Sequence, residues 1–258
     1  NYAIKTLKKN KTFAEADQLV IEAGASLNAD EAALYIFDGP GVDLICNGTV
    51  NLSTSDIYVN AAGAQASFEN GSSLQMIFSS SIRGNGTADI KAGSIFNLDG
   101  NGGANSFNDD VTINNYTTCN FTGSGDHTFN GTSKFVNKAG GNFNWSSTGN
   151  IIFTGSGNSL TNEGNFTVTG GGDFTGTGAI SPSFTNSSGG TLTIANPNTV
   201  TAINAEIAFN NEGAVVINSG DLNITNTPNN HAGSYLIQAG AKLSRIVQPH
   251  LYGQKVLK

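Results

Sequence analysis

The chain repeats one short pattern roughly every 24 residues, and this repeat restricts the folds that the chain can adopt. Four copies align with one another, at residues 135–145, 160–168, 184–194 and 209–217. Each copy contains an apolar residue, a variable residue, an asparagine, a short turn that ends in glycine, and a strand of alternating polarity. A unit that holds only short strands and turns cannot bury an apolar face alone, so successive units are expected to stack around one continuous core.

One turn residue marks each unit along the chain. We assign ten such turn positions: Gly24, Gly48, Gly71, Gly93, Asn115, Gly141, Gly164, Gly190, Gly213 and Gly240. Asn115 takes the place of glycine because asparagine also tolerates the left-handed backbone conformation. After most of these positions the second and fourth residues are apolar, which is the period of a strand with one buried face. The strand is kept in a different phase at four of them, Gly71, Gly93, Asn115 and Gly240, which indicates bulges or a misplaced alignment.

These patterns predict an all-β fold, a single-domain right-handed parallel β-helix (a β-solenoid) of about ten coils. Right-handed winding is expected because crossovers between parallel strands favour that hand. We place the solenoid at residues 19–244. Residues 1–18 are predicted to form a basic cap or assembly segment, and residues 245–258 a basic and apolar cap, assembly strand or junction. The stretch 13–20 is also compatible with a short capping helix, whereas 17–21 has the pattern of a first strand.

The charge and the cysteines exclude several classes of partner and cofactor. The formal net charge is −7, and an acidic surface repels phosphate backbones, so we expect no nucleic-acid partner. No apolar run approaches the roughly 20 residues that a transmembrane helix needs. Cys46 and Cys119 lack metal-ligand spacing and fall in coils too far apart for a disulfide. We therefore expect free thiols, with no metal or other cofactor.

Three strings along the chain resemble the repeats of a known class of proteins. The strings are LVIEAGASL at 19–27, FNNEGAVVI at 209–217 and GSYLIQAGAKL at 233–243. They resemble the repeats of secreted bacterial β-helix surface proteins, which include adhesins and autotransporter-like passenger regions. The resemblance covers residues 19–244 and implies a secreted, extracellular protein of the bacterial cell surface. The same architecture also carries phage tailspikes, polysaccharide lyases and ice-binding proteins, so the resemblance is specific for architecture alone.

We expect a structural or adhesive surface protein and not an enzyme. A polysaccharide-active β-helix enzyme is one alternative, and a phage tailspike-type component is another. The enzyme alternative requires that Asp109, Asp110, Asp126 and His127 converge on one face with a basic partner. Adjacent strand residues point to opposite faces, so at most one of Asp109 and Asp110 is expected to face a substrate. His127 follows a Gly-Ser-Gly-Asp string, which predicts an ordinary turn histidine at the surface.

The outward residues of the later strands form the candidate binding surface. Stacked coils would align six polar side chains into a flat ladder: Asn142, Asn144, Asn165, Thr167, Thr191 and Thr193. Such a ladder can hydrogen-bond sugar hydroxyls or order water, or it can be a solvated sheet face with no partner. The pattern ends at Ala214 and Val216. The exposed ends of a solenoid also invite pairing, so a second copy, added head to tail or laterally, is the other candidate partner.

Overall fold

The computed structural model describes residues 11–14, 18–30, 34–41, 43–177, 182–225 and 230–245. Within these ranges the regular secondary structure consists of 28 β-strands, and the paired strands run parallel to one another. The chain winds through three strands in each coil and completes about nine coils, so the predicted all-β parallel solenoid is confirmed. The right-handed winding stays a prediction.

The three strands of each coil define three faces, which we number in chain order. Face 1 contains β1 (Lys11–Ala14), β4 (Leu34–Asp38), β7 (Asp56–Val59), β10 (Ser81–Gly84), β13 (Asn105–Asp109), β16 (His127–Phe129), β19 (Ile151–Phe153), β22 (Phe174–Gly176), and β28 (Lys242–Arg245). Face 2 contains β2 (Gln18–Ile21), β5 (Asp43–Cys46), β8 (Gln65–Phe68), β11 (Thr87–Ile90), β14 (Thr112–Asn115), β17 (Lys134–Asn137), β20 (Ser159–Asn162), β23 (Ser183–Asn186) and β25 (Ala208–Asn211).

Face 3 contains β3 (Ser26–Ala29), β6 (Thr49–Ser53), β9 (Ser73–Ile77), β12 (Ile95–Asp99), β15 (Thr118–Thr122), β18 (Asn142–Trp145), β21 (Asn165–Val168) and β27 (Ser234–Ile237). Two long strands, β24 (Thr191–Ile203) and β26 (Ala214–Ile224), belong to face 3 at their beginning and to face 1 at their end. They pass the corner without a break, so faces 1 and 3 form one hydrogen-bonded sheet and face 2 forms another.

The core fills the interior between the three faces. Inward side chains alternate with outward ones, and each inward side chain packs on the equivalent residue of the next coil. The rings of Phe143 and Phe166, for example, stack with centroids 4.5 Å apart. Each large apolar side chain that is fully buried contributes roughly 1.5–3 kcal/mol of hydrophobic stabilisation. Because neighbouring coils supply the partners, no coil holds its core alone.

A row of buried asparagines follows the end of face 2 through five coils. Asn115, Asn137, Asn162, Asn186 and Asn211 are all 0% exposed. In each of the first four, the side-chain Nδ2 donates to the Oδ1 of the next asparagine at 2.8 Å. Every Nδ2 also donates to a nearby backbone carbonyl. We call this row the buried asparagine ladder; it explains the asparagine of the sequence repeat, because a buried amide is stable only when it is hydrogen-bonded.

The predicted turn residues occupy two positions instead of one. Gly48, Gly141, Gly164, Gly190 and Gly213 come directly before a face 3 strand, where an added Cβ would stand 2.2–2.6 Å from a backbone carbonyl oxygen. Gly24, Gly71 and Gly93 lie one residue earlier in the turn and have positive φ angles of 79°, 83° and 84°. The turns between faces 2 and 3 contain either two residues, as at 47–48, or four, as at 22–25. The phase differs because the assigned glycine is the third residue of its four-residue turn at Gly24, Gly71 and Gly93 and the last residue of the turn at the other five, and not because of a bulge.

Two of the ten residues assigned to the turn between faces 2 and 3 do not lie in that turn. Asn115 does not replace a turn glycine, because it ends β14 and belongs to the buried asparagine ladder. The residue that occupies the turn position in that coil is Thr117. Gly240 has a φ of 87° but lies between β27 and β28, which is a different corner of the coil.

Parts of the two predicted terminal segments can be placed. β1 lies within the segment 1–18 and pairs with β4, so residues 11–14 already belong to the wall of the solenoid. Gln18–Ile21 is a strand, in agreement with the strand hypothesis and not with the helix. Residues 1–10, 15–17 and 246–258 lie outside the described residues, and the cap and assembly predictions for them stay predictions.

Candidate functional site

Face 3 presents two straight columns of outward side chains. The first column is Ser26, Thr49, Ser73, Ile95, Thr118, Asn142, Asn165, Thr191, Ala214 and Ser234. The second is Asn28, Asn51, Gln75, Asn97, Asn120, Asn144, Thr167, Thr193, Val216 and Leu236. All six residues predicted for the surface ladder fall in these columns, in register. The columns also extend towards the N-terminus through coils that the prediction did not include.

The two columns carry no charged side chain at any of their positions. On face 3 a charged residue, Asp99, lies beyond the columns at the end of β12, whereas the outward positions of face 2 include Asp43, Asp89 and Lys134. At about 4.8 Å per coil the uncharged surface is roughly 45 Å long. A net charge of −7 is therefore carried outside the columns of face 3. We call the two columns together the polar face.

Side-chain amides on the polar face bond to one another from coil to coil. Asn144 Nδ2 donates to Asn120 Oδ1 at 3.1 Å, and Asn120 Nδ2 donates to Asn97 Oδ1 at 3.0 Å. Asn165 donates to Asn142 in the same way at 3.0 Å. Each amide has two N–H donors and two acceptor lone pairs, so these bonds leave hydrogen-bonding capacity directed outward. The bonds hold the side chains in fixed orientations, so these side chains would lose less conformational entropy when a partner binds.

The four residues of the enzyme alternative do not come together. His127 was predicted at the surface, and this prediction is wrong, because the side chain is 1% exposed and points into the core. Asp126 lies at the start of face 1, where its Oδ1 accepts from the backbone N–H of Asn150 at 2.7 Å. Asp109 and Asp110 lie at the opposite end of the same face. The strand period places His127 inward, since Phe129 two residues later is also buried.

His127 occupies an aromatic cage. Its ring lies edge-on to Phe107, with centroids 4.4 Å apart, and near Phe121 and Phe129 at 5.8 and 5.5 Å. Neither ring nitrogen has a hydrogen-bond partner among the described residues. Burial without a partner disfavours the charged imidazolium and lowers the pKa of His127 from 6.5 to about 3. The ring is therefore neutral at physiological pH and serves as a core side chain.

Asp109 has the basic partner that the enzyme alternative calls for, but the pair is part of a surface network on face 1. Arg83 lies between two carboxylates, with Nε 3.2 Å from Asp109 Oδ2 and Nη1 3.8 Å from Asp56 Oδ2. The guanidinium also lies 5.2 Å from the centroid of the Tyr58 ring. Partly exposed ion pairs of this kind contribute about 0–1 kcal/mol each, so we regard the network as a link between three coils.

The cysteines are free, as predicted, and both are buried. Burial raises the pKa of the Cys46 thiol to about 11, although a backbone hydrogen bond from Gly48 lowers it in part. Burial also raises the pKa of Cys119 well above its ordinary value. Across the described ranges, no three His, Cys, Asp or Glu side chains are grouped closely enough to hold a metal ion. The described part of the chain also contains no helix of the length and apolarity that a membrane span requires.

Comparison with known proteins assigns the chain to no family. No family model matches the chain, and no curated protein matches it. Among solved structures, the chain is similar to the crystal structure of the TibC-catalyzed hyper-glycosylated TibA55-350 fragment, at 15% identity and a TM-score of 0.25. The match covers 93% of this chain and 96% of that chain. A likeness at this TM-score carries no argument, and the class that the structure defines, the parallel β-solenoid, rests on the strand pairing alone.

Proposed function

We propose that this chain is an extracellular structural and adhesive β-solenoid of the cell surface, which binds neutral glycans along the polar face. The observation that supports the proposal is an uncharged array of amides and hydroxyls that recurs in eight successive coils, from Asn28 to Thr193. Sugar hydroxyls both donate and accept, as do side-chain amides and threonine hydroxyls. A repeating ligand can therefore make the same contacts in successive coils, and many weak contacts add up to a useful affinity.

The test places charge on the polar face. Thr167→Lys combined with Thr193→Lys puts two ammonium groups in adjacent coils of face 3. We expect binding to an array of neutral glycans to fall at least tenfold, because the long hydrated side chains prevent flat contact. The matched control is Thr161→Lys with Thr185→Lys, which places the same change in the adjacent strands of face 2. Equal loss in both double variants, or no loss in either, would contradict the proposal.

The second part of the proposal is head-to-tail assembly of the rods into a filament. Among the described residues, β28 pairs only with β26 and β27 only with β26, which leaves one edge of each strand unpaired. Ile237 has the phase of a core residue, since it aligns with the buried Ile217, yet it is 45% exposed. A first coil from another copy would cover this surface and continue the sheets.

Electron microscopy and light scattering test the assembly. We expect purified protein to form strings longer than one rod, with a mass that rises with concentration. Monodisperse rods of single-chain mass would contradict the filament. A stable trimer would favour the tailspike-type alternative, and turnover of a polysaccharide would favour the enzyme alternative.

A further inference from the structure

The corner between faces 3 and 1 opens into a cleft in the last three described coils. Its volume is about 460 Å³, within the range of small-molecule binding sites. Corner residues of three successive coils form the cleft. They are 197–200 in β24, 218–221 in β26, 239 and 240 in the turn between β27 and β28, and 242 at the start of β28. The cleft therefore lies beside the polar face but is separate from its two columns.

A local irregularity of β24 forms one wall of the cleft. Ala195 pairs with Ser219 and Val200 with Asp221, so the four residues 196–199 stand opposite Gly220 alone. The extra length pushes residues 197–199 outward, and Asn198 takes a left-handed φ of 67°. Such a conformation in a residue other than glycine costs of order 1 kcal/mol, and both bulges and strained residues are concentrated at binding sites.

A buried amide directly behind the cleft floor has an unused acceptor. Asn196 is 2% exposed, and its Nδ2 donates to Gly170 O at 3.0 Å and Thr201 Oγ1 at 2.7 Å. Its Oδ1 accepts no hydrogen bond from the described residues. A Cβ added to Gly220 would stand 2.6 Å from this oxygen, so the floor at that point must remain bare backbone. An unpaired buried acceptor costs about 1–3 kcal/mol, so the chain keeps the bulge of β24 at a cost in stability.

The lining indicates the chemistry of the ligand. Asp221 Oδ2 and Lys242 Nζ lie 3.8 Å apart, so the charged groups of the cleft balance, and at that distance they leave hydrogen-bonding positions free. Asn198 and Asn218 add amides, and Val200, which is 50% exposed, adds an apolar patch. Paired donors and acceptors beside a small apolar surface match a sugar ring, which has hydroxyls at its edge and C–H groups on its face. We infer that this cleft binds one or two rings of a neutral saccharide.

This inference deepens the proposed adhesive function and rests on it, because it gives the glycan a defined end group or branch to be recognised. The polar face would supply extended, repetitive contact along the rod. The cleft would supply selectivity, since a concave site with fixed donors and acceptors rejects sugars whose hydroxyls point elsewhere.

The experiment is a titration of the isotope-labelled full chain with a panel of free neutral mono- and disaccharides, followed by NMR chemical shifts. We expect shift changes confined to the cleft residues. Asn198→Gly removes the amide while glycine favours the same left-handed backbone, so this variant should stay folded and bind at least tenfold more weakly. Asp221→Ala should also weaken binding tenfold. Asp43→Ala, on face 2, is the matched control and should bind as the wild type does.

The outcomes separate this inference from the proposed function. If glycan-array binding is present but free sugars leave the cleft resonances unchanged, the cleft inference is overturned and the adhesive function stands. The cleft inference is likewise overturned if Asn198→Gly and Asp221→Ala bind as tightly as the control. If free sugars bind in the cleft while the array shows no binding, the cleft stands and adhesion along the polar face fails. Absence of both signals overturns both.

Discussion

The buried His127 should make the free energy of unfolding decrease as the pH falls, and a single substitution of His127 should remove this contribution. The unfolded chain binds a proton at this ring below its ordinary pKa of 6.5, whereas the folded chain does so only near 3. Between these values the unfolded state holds more protons, so the free energy of unfolding falls as the pH falls. At about 1.36 kcal/mol per pH unit, His127 alone accounts for a loss of about 3 kcal/mol between pH 7 and pH 4.

His127→Leu is the perturbation that tests this calculation. Leucine fills a similar volume and removes both unpaired ring nitrogens, so we expect no loss of stability at pH 7. At pH 4 the variant should be more stable than the wild type by about 3 kcal/mol. Phe129→Leu is the control, because it perturbs the neighbouring core side chain without removing a titrating group and should lower stability equally at both pH values.

The assay is urea denaturation followed by circular dichroism at pH 7 and pH 4 for the wild type and both variants. The quantity of interest is the difference between variant and wild type at each pH, since all other titrating groups cancel in it. If the wild type and His127→Leu lose the same amount of stability between the two pH values, the His127 ring does not titrate as a buried group and the calculation is refuted.

Three further predictions concern the inter-coil contacts. Asn162→Ala removes a central member of the buried asparagine ladder, breaks its bonds to Asn137 and Asn186 and leaves the buried Asn186 Oδ1 without its donor. The free energy of unfolding should therefore fall by about 3 kcal/mol, whereas Asn144→Ala on the polar face should change it by less than about 0.5 kcal/mol. Gly190→Ala brings a Cβ to 2.3 Å from Asn162 O and should lower the melting temperature by several degrees, whereas Gly189→Ala, with its nearest neighbour at 3.6 Å, should not. Both cysteines should resist a thiol reagent in the folded protein and react fully in urea, because burial raises their pKa values; labelling of the native chain would contradict this.

The architecture could be predicted from the sequence because it depends on properties that recur in every coil. Alternation of apolar and polar residues identifies the strands, and the repeat of about 24 residues identifies the stacking. The same alternation predicted the six residues of the surface ladder. It would also have predicted earlier members of the columns, such as Asn97 and Asn120, if the strands of the earlier coils had been assigned the correct phase.

The features that were missed depend on contacts between coils. The turns contain either two or four residues, and the assigned glycine is the third residue of some four-residue turns and the last residue of others, so the positions of the glycines could not give the phase. The asparagine at 137, 162, 186 and 211 was visible as part of the repeat, but asparagine is mostly a surface residue, and only the coil-to-coil hydrogen bonds account for its burial. The cleft was also missed, because nothing in the spacing of the repeat marks the four residues that oppose Gly220.

The buried asparagine ladder also bears on how such a rod can change in length. Each of the first four asparagines makes the same donor-to-acceptor bond to the next, so excision of one whole coil within the ladder would rejoin an asparagine to an asparagine in the original geometry. Duplication of a coil would extend the row just as smoothly, whereas an insertion of part of a coil would strand two amides inside the core. Rods built on this plan can therefore grow or shrink only by complete turns.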